Sequence, residues 1–396
     1  MVIEPFEITR LPAVTFGEGA LARVPELAAA FGSRLLLVTG AESFRRSRHW
    51  PSFSAGLERA GLGWESLIVD AEPSPRLVDD AVSRFAGTAI EVVVGIGGGS
   101  ALDAAKAVAG LLPHGNSVLD HLEGVGRGAP YRGPAVPFIA VPTTAGTGSE
   151  ATRNAVLSRS GRDGFKKSFR HEALVPRHAV IDPQLLETCT PALIAADGMD
   201  ALTQLIESFV SPRSSPFTEA LVLDGLEAVR EGLPGWYDGA GDPRAARSRM
   251  AYAAWISGVA LAQTGLGAVH GLASPLGAFF PAPHGAVCGT LLAAATRANV
   301  AALREREPDN PALGKYARIH AALAGAERVD REGGPEALVE LLQDWTERLD
   351  LPRLGRYGMR EGDVAGVVAA ARGASMRTNP VLLDDDELRT LVGERL

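Results

Sequence analysis

Apolar residues in the first half of the chain come in short, nearly continuous runs. Residues 34–39 (RLLLVT), 65–69, 89–96 and 135–141 are rich in Leu, Val and Ile, and each ends at a turn former such as Gly40, Asp70 or Pro142. Runs of this length predict buried strands. Their alternation with helix-like stretches predicts a parallel sheet covered on both faces. Near Pro191 the pattern changes to Ala, Leu and Glu at helical spacing. Residues 191–209, 218–231, 247–262, 283–298 and 335–349 predict helices, 238–243 a loop, and no strand is expected beyond Pro191. The chain therefore divides into an α/β domain, residues 1–190, and an all-α domain, residues 191–396.

Two of the predicted strands run into unusual turns. Gly97, Gly98, Gly99 and Ser100 follow the third strand and open an Ala-rich helix over 101–112, with Asp103 placed to complete a capping box with Ser100 and Lys106 one turn on. Glycines admit a pyrophosphate close to the backbone, and the helix N-terminus offers it free N–H groups. Taken singly such a turn is equally a tight ligand-free connection. The second turn, residues 142–150 (PTTAGTGSE), carries the hydroxyls of Thr143, Thr144 and Thr147. Two such turns at the carboxyl ends of parallel strands fit a dinucleotide site.

The helical half holds polar groups inside apolar sequence. Asp200 and Gln204 share one helix face. His270 lies in a Gly- and Ala-rich stretch with Ser274 one turn on, and His284 follows Pro283, with Cys288 four residues later. Converging, one Asp and two His would make a divalent metal site with room for a substrate oxygen. Each of them alone reads more readily as a hydrogen-bonded core residue, and Cys288 more readily still as a small core side chain. Phe165, Phe209, Phe279 and Phe280 are available either for the core or for a cleft wall.

The chain has 396 residues, 46% hydrophobic and 22% charged, with a net charge of −8, which argues against a nucleic-acid partner. Cys189 and Cys288 make no disulfide framework. The N-terminal residues lack a signal-peptide core, and the run 92–96 is too short to span a bilayer, so a cytoplasmic protein with no membrane partner is expected.

In order along nearly the whole chain, GGGSxxDxxK (97–106), PTTAGTGSE (142–150), GMDALT (198–203) and His270…PLG (275–277)…PHG (283–285) resemble the iron-containing alcohol dehydrogenase family. The resemblance implies a Rossmann-like N-terminal domain and a helical C-terminal domain, the architecture also shared by dehydroquinate synthases, with a cleft between them. It implies an NAD(P)-dependent exchange between a small alcohol and its aldehyde or ketone. Gly40, Gly97, Gly98, Gly99, Ser100, Asp103, Thr143, Thr144, Thr147 and Lys166 would hold the cofactor, with Lys167 one register step from Lys166. Asp200, Gln204, His270 and His284 would hold Fe²⁺ or Zn²⁺, and His270, His284 and Ser274 would serve catalysis. Homodimers or larger assemblies are implied as well.

Two departures bear on this. Gln204 stands where the family usually places a ligand His, and Ser274 where many members carry a His near the nicotinamide. A metal-free reductase of unsaturated keto acids, similar to maleylacetate reductases, and a non-catalytic nucleotide-binding protein are the alternatives these departures raise. Dehydroquinate synthase chemistry, a cyclising lyase, is a further one. The absence of Asp at Gly40, with Ser43, Arg45 and Arg46 nearby, leans towards NADP(H) over NAD(H).

Overall fold

A computed structural model describes residues 3–161 and 163–396. The strands are β1 (Ala13–Phe16), β2 (Arg34–Gly40), β3 (Gly63–Val69), β4 (Val92–Gly97), β5 (Phe138–Pro142), β6 (Asn154–Arg159), β7 (Phe165–Arg170) and β8 (His178–Ile181). The helices of the first half are α1 (Val24–Ala29), α2 (Trp50–Arg59), α3 (Pro75–Phe85) and α4 (Gly99–Leu111). Six strands form one parallel sheet in the order β1-β8-β5-β4-β2-β3, and β6 and β7 form a separate antiparallel hairpin.

The apolar runs are continuous because both sheet faces are covered. Leu36, Val38 and Val93 pack to one side against α3 and α4, while Leu35, Leu37, Val92, Val94 and Ile96 pack to the other against α2. The chain leaves β2 for β3 on one side and returns to β4 on the other. This reversal opens a crevice at the carboxyl ends of β2 and β4, where ligands settle in open α/β sheets.

The second half is helical: α5 (Pro191–Val210), α6 (Pro216–Tyr237), α7 (Pro243–Thr264), α8 (Ala268–Phe279), α9 (His284–Arg306), α10 (Pro311–Ala324), α11 (Gly334–Arg348), α12 (Val364–Ala370) and α13 (Asp385–Gly393). Thr190 caps α5, its hydroxyl accepting from the Leu193 N–H with Pro191 at the first helical position. Asp242 caps α7 in the same way. Gly265, at φ 71°, ends α7, and α8 departs at 102° to it. That break turns His270 inward. By length and composition α9 is apolar enough to cross a membrane, but 83% of its apolar window is buried among the other helices.

The expected helices all form, and most extend further than the apolar spacing indicates: the segment expected over 218–231 runs over Pro216–Tyr237. The strands expected over 89–96 and 135–141 start three residues later, at Val92 and Phe138. Expectation missed the short or charged strands β1, β6, β7 and β8 and the helices α8, α10, α12 and α13. The Ser100–Asp103 capping box does not form. The N-cap of α4 is Gly98, with no side-chain cap, because Asp103 is drawn instead to Ser149 and the Val156 N–H.

Candidate active site

The two turns pack on each other. A Cβ on Gly99 would stand 2.7 Å from Thr147, so glycine is needed there for the turns to close, and one on Gly98 would stand a tight 3.3 Å from Thr144. Gly148, at φ +59°, meets the backbone of Gly258 on α7, where a Cβ would come within 2.4 Å. Lys106 fastens the arrangement from beneath. Its fully buried Nζ donates to the Ser149 carbonyl (2.8 Å) and hydroxyl (3.0 Å), the Thr152 hydroxyl (3.0 Å) and the Asn154 carbonyl (2.6 Å). Asp103 lies 3.9 Å from the same Nζ and accepts from the Ser149 hydroxyl at 2.6 Å. The Lys and Asp of the motif thus anchor the second turn to α4. Burial lowers the Lys106 ammonium to about 8, against the pull of Asp103 and Glu150.

Across the cleft, α5, α8 and α9 bring Asp200, His270, His284 and Cys288 together, one donor atom from each lying within 4.8 Å of the others. His270 Nε2 is 3.3 Å and His284 Nε2 3.9 Å from the same Asp200 oxygen, and Cys288 Sγ is 3.7 Å from each of those nitrogens. Glu207 fixes His270 from behind: it accepts from Nδ1 at 2.7 Å and from the Val269 N–H at 2.7 Å. This keeps a proton on Nδ1 and makes Nε2 the nitrogen that faces the cluster. Both Asp200 oxygens are buried with no hydrogen-bond partner among the described residues, as is His284 Nδ1. A buried carboxylate left this way is costly unless a cation completes it, so the residues fit a divalent metal.

The electrostatics are uneven. Burial pushes the Asp200 carboxyl up, but His284 and His270 hold it below its ordinary value. Asp197, one turn earlier on α5, is raised to about 7 by burial and by Asp200, with Thr144 pulling the other way. Burial and Lys166 bring His284 down to about 4, and burial lifts the Cys288 thiol to about 12.

One cavity of about 450 Å³ joins the two regions. Gly98, Gly99, Ser100, Asp103, Thr144, Thr147 and Lys166 line it with Asp200, Gln204, His270, Ser274 and His284. Lys166, not Lys167, faces it, with Nζ bonded to both Glu72 oxygens at 2.8 and 2.9 Å. The Ser274 hydroxyl donates to the Lys166 carbonyl at 2.9 Å, tying α8 to β7. Gln204 is otherwise engaged: its Oε1 accepts from the Ser257 hydroxyl at 2.7 Å and its Nε2 donates to the Thr147 carbonyl at 3.4 Å.

Gly40, Gly97 and Thr143 are absent from this lining. Gly97 is buried at the end of β4, where its carbonyl accepts from the Thr143 N–H at 3.0 Å. Thr143 instead borders a small depression with Ser43, Phe44 and His49. The four phenylalanines form no cleft wall: Phe209 and Phe165 sit in the cores of the two halves, and Phe279 and Phe280 pack against the helical core. The apolar walls are Pro73, Val156, Leu193, Leu261, Leu266 and Pro283. Asp197, Glu72 and Glu207 were not anticipated. Asp197 could have been found three residues before Asp200, on the same helix face; Glu72 has no local signal.

Residues 12–183 match the iron-containing alcohol dehydrogenase family and residues 194–395 the C-terminal part of the Fe-containing alcohol dehydrogenase family. The chain belongs to the iron-containing alcohol dehydrogenase family. It is 34% identical to alcohol dehydrogenase 4 of Saccharomyces cerevisiae over 85% of this chain and 84% of that one. It is 33% identical to the 1-propanol dehydrogenase of Salmonella typhimurium over 84% and 85% of the two chains. Among solved structures, sulfoacetaldehyde reductase from Bifidobacterium kashiwanohense, in complex with NAD⁺, superposes with a TM-score of 0.83 at 26% identity, covering 99% of each chain. Membership makes the chain an oxidoreductase of the alcohol dehydrogenase and aldehyde reductase class.

Proposed function

We propose that the chain exchanges hydride between a nicotinamide lying along the two turns and a small alcohol or aldehyde whose oxygen rests at the Asp200–His270–His284 cluster. The shared cavity supports this most directly, since donors suited to a pyrophosphate and an unpartnered buried carboxylate open into one space. When bound, the nicotinamide supplies or accepts the hydride, and a divalent metal on Asp200, His270 and His284 polarises the substrate oxygen. The residues do the positioning. The N-terminal N–H groups of α4 at Gly99 and Ser100 hold the pyrophosphate, while the hydroxyls of Thr144 and Thr147 face it from the opposite turn. Glu207 keeps the proton on His270 Nδ1. Asp197 can hold a proton near neutral pH inside the cavity. Ser274, bonded to β7, offers a hydroxyl where the usual His would relay a proton.

NADP(H) is the proposed cofactor. Gly40 presents no carboxylate to a 2′-phosphate, and a Cβ there would meet nothing within 4 Å. The Arg45 guanidinium is held at the same sheet edge by the hydroxyls of Thr39 (3.1 Å) and Ser66 (3.0 Å). Arg46 pairs with Glu42 instead. A homodimer in the cytoplasm completes the proposal. The exposed apolar residues Phe6, Ile8, Val14 and Phe16 on and before the edge strand β1 support the dimer, since such an edge invites a partner.

His270→Ala and His284→Ala should each lower kcat/KM at least about a hundredfold with a panel of small aldehydes. Full activity in both would end the metal-assisted reading. A strong preference for NADH at low cofactor concentration would overturn the assignment of NADP(H).

A further inference from the structure

Gln204 poses a problem that the cluster itself answers. A metal held in the family's manner would draw on position 204, yet the only ligating atom there, Oε1, accepts a 2.7 Å hydrogen bond from the buried Ser257 hydroxyl, and Nε2 is turned to Thr147. One helical turn beyond His284, α9 carries Cys288, wholly buried, with Sγ 3.7 Å from both His270 Nε2 and His284 Nε2. We propose that Cys288, not residue 204, supplies the fourth ligand, giving an Asp–His–His–Cys site suited to Zn²⁺.

The distances carry the proposal. With metal–nitrogen and metal–oxygen bonds of about 2.0 Å and a metal–sulfur bond of about 2.3 Å meeting at the tetrahedral angle, N and O donors stand about 3.3 Å apart and N and S donors about 3.5 Å apart. The observed edges are 3.3 and 3.9 Å for N to O and 3.7 Å twice for N to S. The two remaining pairs, N to N and O to S, lie within 4.8 Å, so all four donors face one common centre. Cys288 is absent from the cavity lining while Asp200, His270 and His284 are part of it, so the sulfur would sit on the protein side and a substrate oxygen would approach from the cavity as a fifth ligand. A thiolate in place of an imidazole makes the donor set softer, favouring Zn²⁺ over Fe²⁺. Binding displaces the thiol proton to solvent as the sulfur–metal bond forms, with no change of oxidation state.

The inference rests on the reading that this cluster holds a metal, and Co²⁺ distinguishes the two. Protein prepared without chelators and loaded with one equivalent of Co²⁺ should show a near-ultraviolet thiolate-to-cobalt charge-transfer band. Cys288→Ser should abolish the band and weaken Zn²⁺ retention against a competing chelator at least about tenfold. Cys189→Ala should leave the band intact, and Gln204→Ala should leave both band and retention within about threefold of the parent, because an amide engaged elsewhere contributes little to the metal. Stoichiometric Co²⁺ without the band, or a band that survives Cys288→Ser, would overturn the sulfur ligand while sparing the metal reading. Parent protein that binds neither Co²⁺ nor Zn²⁺ would overturn both.

Discussion

The two walls of the cavity are built by opposite means. On the α/β side the working surface is backbone: glycines in register at the ends of strands, a helix N-terminus, and side chains such as Lys106 and Asp103 spent on holding turns together. On the helical side the working surface is side chain, with Asp200, His270, His284 and Cys288 arriving from three helices and meeting only because the helices pack. A backbone site tolerates substitution poorly wherever a Cβ appears. A side-chain site depends on what stands behind each ligand.

That difference can be broken or sharpened experimentally. The largest effect is expected behind the cluster. Glu207→Gln keeps an acceptor for the Val269 N–H but removes the charge that orients His270, and metal affinity should fall about 10- to 100-fold, read by competition with a chromophoric chelator. Unchanged affinity would mean the ligand needs no support and the contrast between the walls is wrong. On the backbone wall, Gly99→Val would drive a side chain into Thr147, so KM for the cofactor should rise about tenfold or more while metal content stays constant. Metal loss in that variant would show that the walls are not independent.

The smallest effect concerns Lys106. Its folded value of about 8 lies below the 10.5 of the unfolded chain, so between those limits the unfolded chain binds more protons and stability rises with pH. Below pH 8 both states carry the charge and the full burial penalty is present. Lys106→Met should remove a slope of up to about 1.4 kcal/mol per pH unit, seen by comparing urea midpoints of variant and parent from pH 8 to 10. Parallel profiles would show that the four hydrogen bonds keep Nζ charged throughout.

The same contrast explains what the sequence disclosed. Backbone sites are local, so GGGS after an apolar strand and a hydroxyl-rich second turn marked one wall of the cavity in the sequence itself. The strands of the central sheet were equally plain, because burial on both faces makes their composition unmistakable. The charged hairpin strand β7 (FKKSFR) carried no such mark, and α8 was hidden by Gly265, Gly267 and Pro275. In the cluster, Asp200, His270 and His284 stood out as polar groups in apolar helical sequence, and the likeness to a family pattern gave them a common role. Cys288 did not, since a cysteine one turn from a histidine on an apolar helix reads as filler until a second helix sets His270 against it. Asp103 misled for the converse reason: its spacing from Ser100 is that of a cap, and only the distant Ser149 and Val156 reveal its employment.

The β6–β7 hairpin lies early in the chain yet stitches across the cavity. The Ser158 N–H donates to the Pro73 carbonyl at 2.8 Å, the Gly161 N–H to the Ala278 carbonyl at 3.0 Å, and Ser274 to Lys166. It therefore ties the segment after β3 and helix α8 to one another across a cavity that its own Val156 and Lys166 help to line. Its other strand edge is tied to α4, where Lys106 donates to the Asn154 carbonyl and Asp103 accepts from the Val156 N–H, so a strain placed on the hairpin is shared at once by the helix under the glycine turn and by α8 beside the histidines.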